Sequence, residues 1–263
     1  MGIVNVTPDS FSDGGLHATT ASAVAHGRLL VADGADILDI GGESTRPGAT
    51  RPVVAEELHR VVPVIEALAR DGATLSVDTM RASVAREAVA AGASIVNDVS
   101  GGLADPGMLE TVAELGVRYV AMHWRAHSDR MRDFATYDDA PTDVARELSQ
   151  RVAAARAAGI PDERLILDPG LGFAKKPVHN WQILRNLAPL EDLGFPVLIG
   201  ASRKSFLGTL LARGGKPRPT GEREFANTAL TTWLAERGVW GLRVHDVRAA
   251  ADALACLEEL WTN

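Results

Sequence analysis

One phrase, repeated seven times, constrains this chain more than any other feature: a helix-like stretch ends in glycine, an apolar run follows, and the run stops at polar residues. The glycines are Gly34, Gly72, Gly92, Gly116, Gly159, Gly194 and Gly238. Glycine alone takes positive φ without a steric penalty, so each is expected to cap a helix in the left-handed conformation. The runs behind them finish at Asp39-Ile40-Gly41-Gly42, Asp78-Thr79, Asn97-Asp98, Met122-His123, Asp168-Pro169, Ser202-Arg203-Lys204 and Arg243-Val244-His245. An eighth run, Met1-Gly2-Ile3-Val4, opens the chain and stops at Asn5. Eight strands alternating with helices in 263 residues predict an α/β fold, a single (β/α)8 TIM barrel spanning 1–263. An open doubly wound sheet shares this alternation, but the first strand-to-helix turn lacks its Gly-x-Gly-x-x-Gly fingerprint.

Apolar positions recur at helical spacing in Ala21 to Val31, Val54 to Leu68, Val84 to Val89 and Val144 to Ala157, with Pro63 a possible kink. The strand runs are short and apolar on successive residues, as parallel strands buried on both faces require. No hairpin is expected between them. Helix-to-strand connections are a glycine and a residue or two. Strand-to-helix connections are long, from Asn5 to about Ala18, Gly41 to about Val53, His123 to about Pro141 and Asp168 to about Val178. Those after the first and second strands read as long mobile loops. In a barrel, all of them gather on the face that carries chemistry.

The bulk properties narrow the function. Hydrophobic residues make up 46% of the chain, enough for a sizeable core, yet no run reaches the roughly 20 residues that span a bilayer. The start lacks the pattern of a signal peptide, so the expectation is a soluble, cytoplasmic protein. Cys256 is the sole cysteine, so no disulfide forms within the chain. A net charge of −7 argues against nucleic acid as a partner. The only lysines, Lys175, Lys176, Lys204 and Lys216, follow the sixth and seventh runs, a hint of a local anion or carbonyl site.

The polar stops form a chemical inventory. Asn5 to Gly15 is rich in Gly, Ser, Asp and Pro and fits either an ordinary turn or a hydrogen-bonding loop. In Gly41 to Gly48, Arg46 with Ser44 and Thr45 suits phosphate oxygens, without the Gly-Lys-Ser/Thr of a Walker loop. Asp78, Asn97 and Asp168 end strands three, four and six. Asp78 alone reads as a helix cap. Carboxylates only accept, whereas an amide donates and accepts, so the three together suit a flat heterocycle with an amidine-like edge. Lys204 opens a helix and is able to hydrogen-bond a carbonyl. Arg243 and His245 share one side of strand eight by its period of two, beside Asn5, as a phosphate or diphosphate seat. A salt bridge from Arg243 to Asp246 is also expected. His123 reads as a satisfied polar stop or a lining residue. His17, His26, His59 and His127 lack partners at metal-ligand spacing. Trp181, Trp233, Trp240 and Trp261 suit core or subunit packing. No nucleophile elbow or cysteine nucleophile is present for acyl transfer.

Taken in order, these motifs resemble the dihydropteroate synthase family, the folate-pathway enzymes that sulfonamide drugs target. The resemblance runs from Met1 to the last helix and rests on Asn5 to Gly15, Gly41 to Gly48, Ser76 to Thr79, Val96 to Val99, Leu167 to Phe173, Gly200 to Ser205 and Arg243 to Asp246. It implies a transferase that condenses 7,8-dihydropterin-6-ylmethyl diphosphate with p-aminobenzoate to give 7,8-dihydropteroate and diphosphate. By the same resemblance Asp78, Asn97, Met122, Asp168, Lys204 and Arg243 bind the pterin, Asp168 at its 2-amino/N3 edge and Lys204 at the ring carbonyl. Asn5, Thr45, Arg46, Arg243 and His245 hold the diphosphate, with Mg2+ at Asn5. Phe11, Thr45, Pro47, Phe173, Lys204 and Ser205 form the p-aminobenzoate pocket. Asp13 and Asp78 are expected to stabilise a pterin-methylene cation, with Lys204 and Arg243 also catalytic. Sulfonamides as inhibitors and a homodimer through the late helices follow as family expectations.

Two other readings compete. A pterin-barrel methyltransferase using methyltetrahydrofolate shares the barrel and the Asp and Asn residues, but has no need of Ser202-Arg203-Lys204-Ser205 or Thr45-Arg46-Pro47. A non-catalytic pterin-binding paralogue would show lost diphosphate or loop residues, and none is lost. Family members usually carry a short segment before the Asn5 strand. A segment missing here would bear on stability more than on chemistry.

Overall fold

A computed structural model describes residues 1–7, 20–43, 52–127 and 129–262. Six parallel strands form one continuous ladder: β1 (Gly2–Asn5), β2 (Leu38–Gly41), β3 (Leu75–Asp78), β4 (Ile95–Asp98), β5 (Arg118–Met122) and β6 (Leu165–Asp168). Two shorter strands, β7 (Leu198–Ile199) and β8 (Gly241–Leu242), pair with each other. Parallel bridges Leu167 to Val197 and Gly2 to Val244 join the two sets, and Ile3 N donates to Val244 O at 3.1 Å. The ring of eight strands therefore closes into the barrel that the repeated phrase of the sequence predicts.

Helices follow the strands: α1 (Thr20–Ala32), α2 (Val54–Arg70), α3 (Ala82–Ala90), α4 (Met108–Leu115), α5 (Ala140–Ala157), α6 (Pro177–Arg185), α7 (Ala188–Glu191), α8 (Ser205–Leu210), α9 (Glu224–Glu236) and α10 (Val247–Trp261). All seven glycines of the repeated phrase have positive φ, between 66° and 121°. α2 runs through Pro63. The expectation of no hairpin has one small exception, an antiparallel bridge from Arg213 to Lys216.

The period of two sorts each strand into tiers. Outward residues such as Val4, Leu38, Ile40, Val77, Val96, Ala121 and Leu167 join the helices in the main core. Ile95, Val120, Ile166 and Leu198 form a separate buried cluster with Met1, Ile37 and Trp240. Two residues further along those strands, on the same face, stand Asn97, Met122, Asp168 and Gly200, and two beyond Ile37 stands Asp39. An apolar plug thus fills the ring below a polar upper layer. Met80, Val99 and Met122, with partly buried Phe173, make a small apolar patch at that upper level.

The loops after β1 and β2, expected to be mobile, largely lie outside the described residues, and with them Phe11, Asp13, Thr45, Arg46 and Pro47.

Candidate active site

Strand register sets the site. Asn5, Gly41, Asp78 and Asn97 are successive partners across β1 to β4, and Met122 pairs with Asp168 across β5 and β6. Between β4 and β5 the register steps, with Asn97 opposite Val120, so the strands deliver their last inward side chains to one mouth in two tiers.

Arg243 organises one half. Its Nε donates to Asp39 Oδ2 at 2.6 Å and its Nη2 to Asp78 Oδ2 at 2.8 Å. These are its ion pairs in place of the expected one with Asp246, whose carboxylate instead caps α10 at Ala249 N. Asp78 likewise does not cap a helix: the Thr79 hydroxyl accepts from Arg81 N, while Asp78 faces Arg243. Burial opposes a charge on Arg243, but Asp39 and Asp78 outweigh it and raise its pKa.

Asp39 is the site residue to which the sequence assigned no role. It is fully buried, and its Oδ2 also accepts from Asn97 Nδ2 at 3.0 Å. It stands two residues before Gly41 on the inward face, so the alternation that singles out Asp78 and Asn97 would have found it.

Asp168 and Lys204 organise the other half. Asp168 Oδ1 accepts from Gly170 N at 2.7 Å, and no hydrogen bond to Oδ2 is found among the described residues. Burial raises the Asp168 pKa against the pull of Lys204. Burial also lowers Lys204 to about 8, with Asp168 opposing that shift. Lys204 Nζ lies 5.1 Å from the centroid of the Phe173 ring. Two left-handed residues other than glycine flank this pair, Ala174 at φ 47° and Arg203 at φ 61°. Such conformations cost on the order of 1–2 kcal/mol and persist where the surroundings over-determine them. Arg203 pairs with Glu224 on α9, and its carbonyl accepts from Arg223, so the turn before Lys204 is tied to the helical shell.

Asp78 carries the competition between burial and charge. Burial raises it to about 7; Arg243 pulls it down, while Asp39, Glu57 and Glu43 add to the rise. The mouth thus gathers three acidic side chains, Asp39, Asp78 and Asp168, around two basic ones, Arg243 and Lys204. Such a set accepts hydrogen bonds from a ligand's N–H groups at Asp168 and Asp78 and donates to a carbonyl from Lys204.

The remaining predicted residues are less uniform. Met122 is buried in the apolar patch with Met80 and Val99, which sequence reasoning did not single out. His245 is fixed by Ser202, whose hydroxyl lies 2.9 Å from its Nδ1 and 3.2 Å from its backbone N. Ser205 is exposed at the start of α8, one residue beyond Lys204. His123 does not line the mouth: it is buried, bonded to Glu147 and Lys175 behind the β6 loop.

Among the described residues no group of three or more His, Cys, Asp or Glu is arranged to hold a metal. A built Cβ at Gly41 would stand 3.7 Å from both Asn5 Oδ1 and Asp78 Oδ2, so the Asn5 amide oxygen shares the mouth with the carboxylate. One amide oxygen suits a cation completed by substrate phosphates and water, the usual habit of Mg2+.

The sequence pattern of the family described as Pterin binding enzyme matches residues 1–245. A dihydropteroate synthase of Mycobacterium leprae is 52% identical over 256 residues, covering 97% of this chain and 90% of the relative. That of Escherichia coli is 44% identical over 259 residues, covering 98% and 90%. A structure of Xanthomonas albilineans dihydropteroate synthase with 4-aminobenzoic acid superposes at a TM-score of 0.91 with 49% identity, covering 100% of this chain and 93% of that one. The Yersinia pestis enzyme in a sulfonamide drug complex superposes at 0.92 with 42% identity, covering 99% and 93%. With the strand-end carboxylates, amide and lysine gathered in one barrel mouth, the chain belongs to the pterin-binding enzymes, in their dihydropteroate synthase branch.

Proposed function

We propose that this chain, acting as one domain over residues 1–263, condenses 7,8-dihydropterin-6-ylmethyl diphosphate with p-aminobenzoate to 7,8-dihydropteroate and diphosphate in the cytoplasm. The observation that carries the site assignment is the gathering of Asp168 and Lys204, near enough to feel each other's charge, with the Arg243–Asp39–Asp78 cluster in one mouth, an arrangement of acceptors and donors that matches one edge of a pterin.

Asp168 accepts from the 2-amino and N3 edge, Lys204 donates to the ring carbonyl, and Asn97 meets the remaining ring nitrogens. Met122 supports the ring face. Asp39 is added as the buried anchor that orients both Arg243 and Asn97. Arg243, His245 and Asn5 hold the diphosphate, joined by Thr45 and Arg46 from outside the described residues. Mg2+ at Asn5 would supply charge to the leaving diphosphate when bound. The C–O bond breaks with its electron pair on the diphosphate, and the pterin-methylene carbon is left as a delocalised cation. Asp78, and Asp13 on the first loop, stabilise that cation. The aromatic amine then forms the C–N bond and gives up a proton to solvent. Phe173, Lys204 and Ser205, with Phe11, Thr45 and Pro47, form the pocket for the amine, where sulfonamides compete as inhibitors.

A homodimer through the late helices is part of the same proposal. Its support is apolar surface there, with Phe225 91% exposed and Leu210 58% exposed. Light scattering should give twice the chain's 27.9 kDa, and the monomer mass at micromolar concentration would contradict it.

The pterin assignment is tested by Asp168→Asn. Its amide oxygen still accepts from Gly170 N, so the loop keeps its tie, but an amide N–H now faces the pterin donors. Losing a charge-assisted bond costs about 1.5–3 kcal/mol, so the dihydropterin diphosphate Kd should rise roughly ten- to a hundredfold by calorimetry. An unchanged Kd would remove Asp168 from the pterin edge.

A further inference from the structure

Behind the β6 loop lies a half-buried lysine that the reaction as drawn does not touch. Lys175 Nζ is 3.0 Å from Gly170 O, 3.1 Å from Phe173 O and 2.9 Å from His123 Nδ1. On the other side of the imidazole, Nε2 is 2.9 Å from Glu147 Oε2. A carboxylate only accepts, so Nε2 carries the hydrogen of a neutral ring and Nδ1 is a bare acceptor. Three acceptors therefore converge on Lys175, the number an ammonium satisfies. Burial lowers His123 to about 4 and keeps the ring neutral. Burial also pushes Lys175 well below its usual value, with Asp168 and Glu147 opposing that shift.

The outer half of the network is equally fixed. Arg125 grips Glu147 through Nε at 3.0 Å and Nη2 at 2.6 Å, and its guanidinium lies 3.9 Å from the Tyr137 ring centroid. The Tyr137 hydroxyl donates to Ala174 O at 3.1 Å. The turn from Gly170 to Ala174 is thus held at three carbonyls, those of Gly170, Phe173 and Ala174. Ala174 is the left-handed residue other than glycine in that turn, and it directly follows Phe173.

We propose that Lys175 and His123 are positioning residues for the aromatic-amine subsite: they clamp the Gly170–Ala174 turn so that Phe173 presents its ring beside Lys204. This rests on the reading of Phe173 as a wall of that subsite. Neither residue touches either substrate.

Four variants test it by steady-state kinetics, each first shown to be folded by circular dichroism. Lys175→Met keeps the length of the side chain and removes its donors. It should raise the KM for p-aminobenzoate about tenfold, the effect of roughly 1.4 kcal/mol, with kcat and the KM for dihydropterin diphosphate within about threefold of the parent. His123→Gln keeps a donor toward Glu147 but offers no acceptor at the Nδ1 position, and should move the same KM in the same direction. His123→Asn places an amide oxygen where Nδ1 was and should restore most of it. A purely structural role would lower the melting temperature and the active fraction while leaving the KM in place. Phe173→Ala separates the two readings. If Phe173→Ala raises the aminobenzoate KM but folded Lys175→Met and His123→Gln do not, the clamp is wrong. If Phe173→Ala leaves that KM unchanged, the subsite reading itself fails and the clamp loses its purpose. Should Lys175→Met not fold, the two His123 variants decide, since identical KM values for Asn and Gln would overturn the proposal.

Discussion

At the scale of single residues, charge and burial compete most openly in Asp78. Its pKa is raised from 3.8 to about 7, chiefly by burial, so the folded chain holds its proton more tightly than the unfolded chain does. That contribution to stability is fully present below pH 3.8 and is lost as pH rises toward 7. Asp78→Asn cannot ionise. Its melting temperature relative to the parent should therefore climb by several degrees between those limits and level off above them. A difference that stays flat or falls with rising pH would show that Asp78 ionises without penalty. Arg243 shows the complementary limit of reading residues along the chain. Its partners Asp39 and Asp78 lie 204 and 165 positions away, so the nearby Asp246 looked like the natural counter-ion until the barrel closed.

At the scale of elements, the capping glycines and the strand ends were legible because both follow from local rules, positive φ and a period of two. Turns whose geometry depends on a neighbouring strand were not. Gly170 and Gly194 illustrate the difference, with φ of 63° and 78°. A Cβ at Gly194 meets nothing within 4 Å, whereas one at Gly170 would lie 2.4 Å from His123 O. Gly194→Ala should therefore cost only the left-handed penalty of about 1–2 kcal/mol and leave turnover unchanged. Gly170→Ala should cost clearly more and reduce turnover, because β5 and the β6 loop must separate and Asp168 loses its tie. Urea denaturation midpoints compare the two, and equal losses would mean that the β6 loop yields freely. The Lys175–His123–Glu147 clamp belongs to the same category. Its residues sit on two loops and one helix, and nothing in their spacing announces that they meet.

At the scale of the whole molecule, the barrel turns eight short strands into one wall of chemistry. The main core packs outside the strands and the plug of Ile95, Val120, Ile166 and Leu198 fills the ring, so the polar layer at the top is free for binding. Of the expected site, Asn5, Asp78, Asn97, Met122, Asp168, Phe173, Lys204, Ser205, Arg243 and His245 lie among the described residues, at the strand ends, in the loops that follow them or, for Ser205, at the start of α8. Phe11, Asp13 and Pro47 were readable only through family resemblance, since the first two loops have no periodicity to place them, whereas Thr45 and Arg46 also suited phosphate by their own chemistry. Within the described residues no helix is long and apolar enough to cross a membrane. The account's central claim is that this mouth binds a dihydropterin diphosphate and passes its methylene carbon to an aromatic amine. The most direct measurement is multiple-turnover diphosphate release with dihydropterin diphosphate, with and without p-aminobenzoate, alongside quantification of dihydropteroate. The account predicts sustained release only when both substrates are present, with one dihydropteroate formed per diphosphate. Sustained release without the amine, or no release from folded protein that instead demethylates methyltetrahydrofolate, would contradict it.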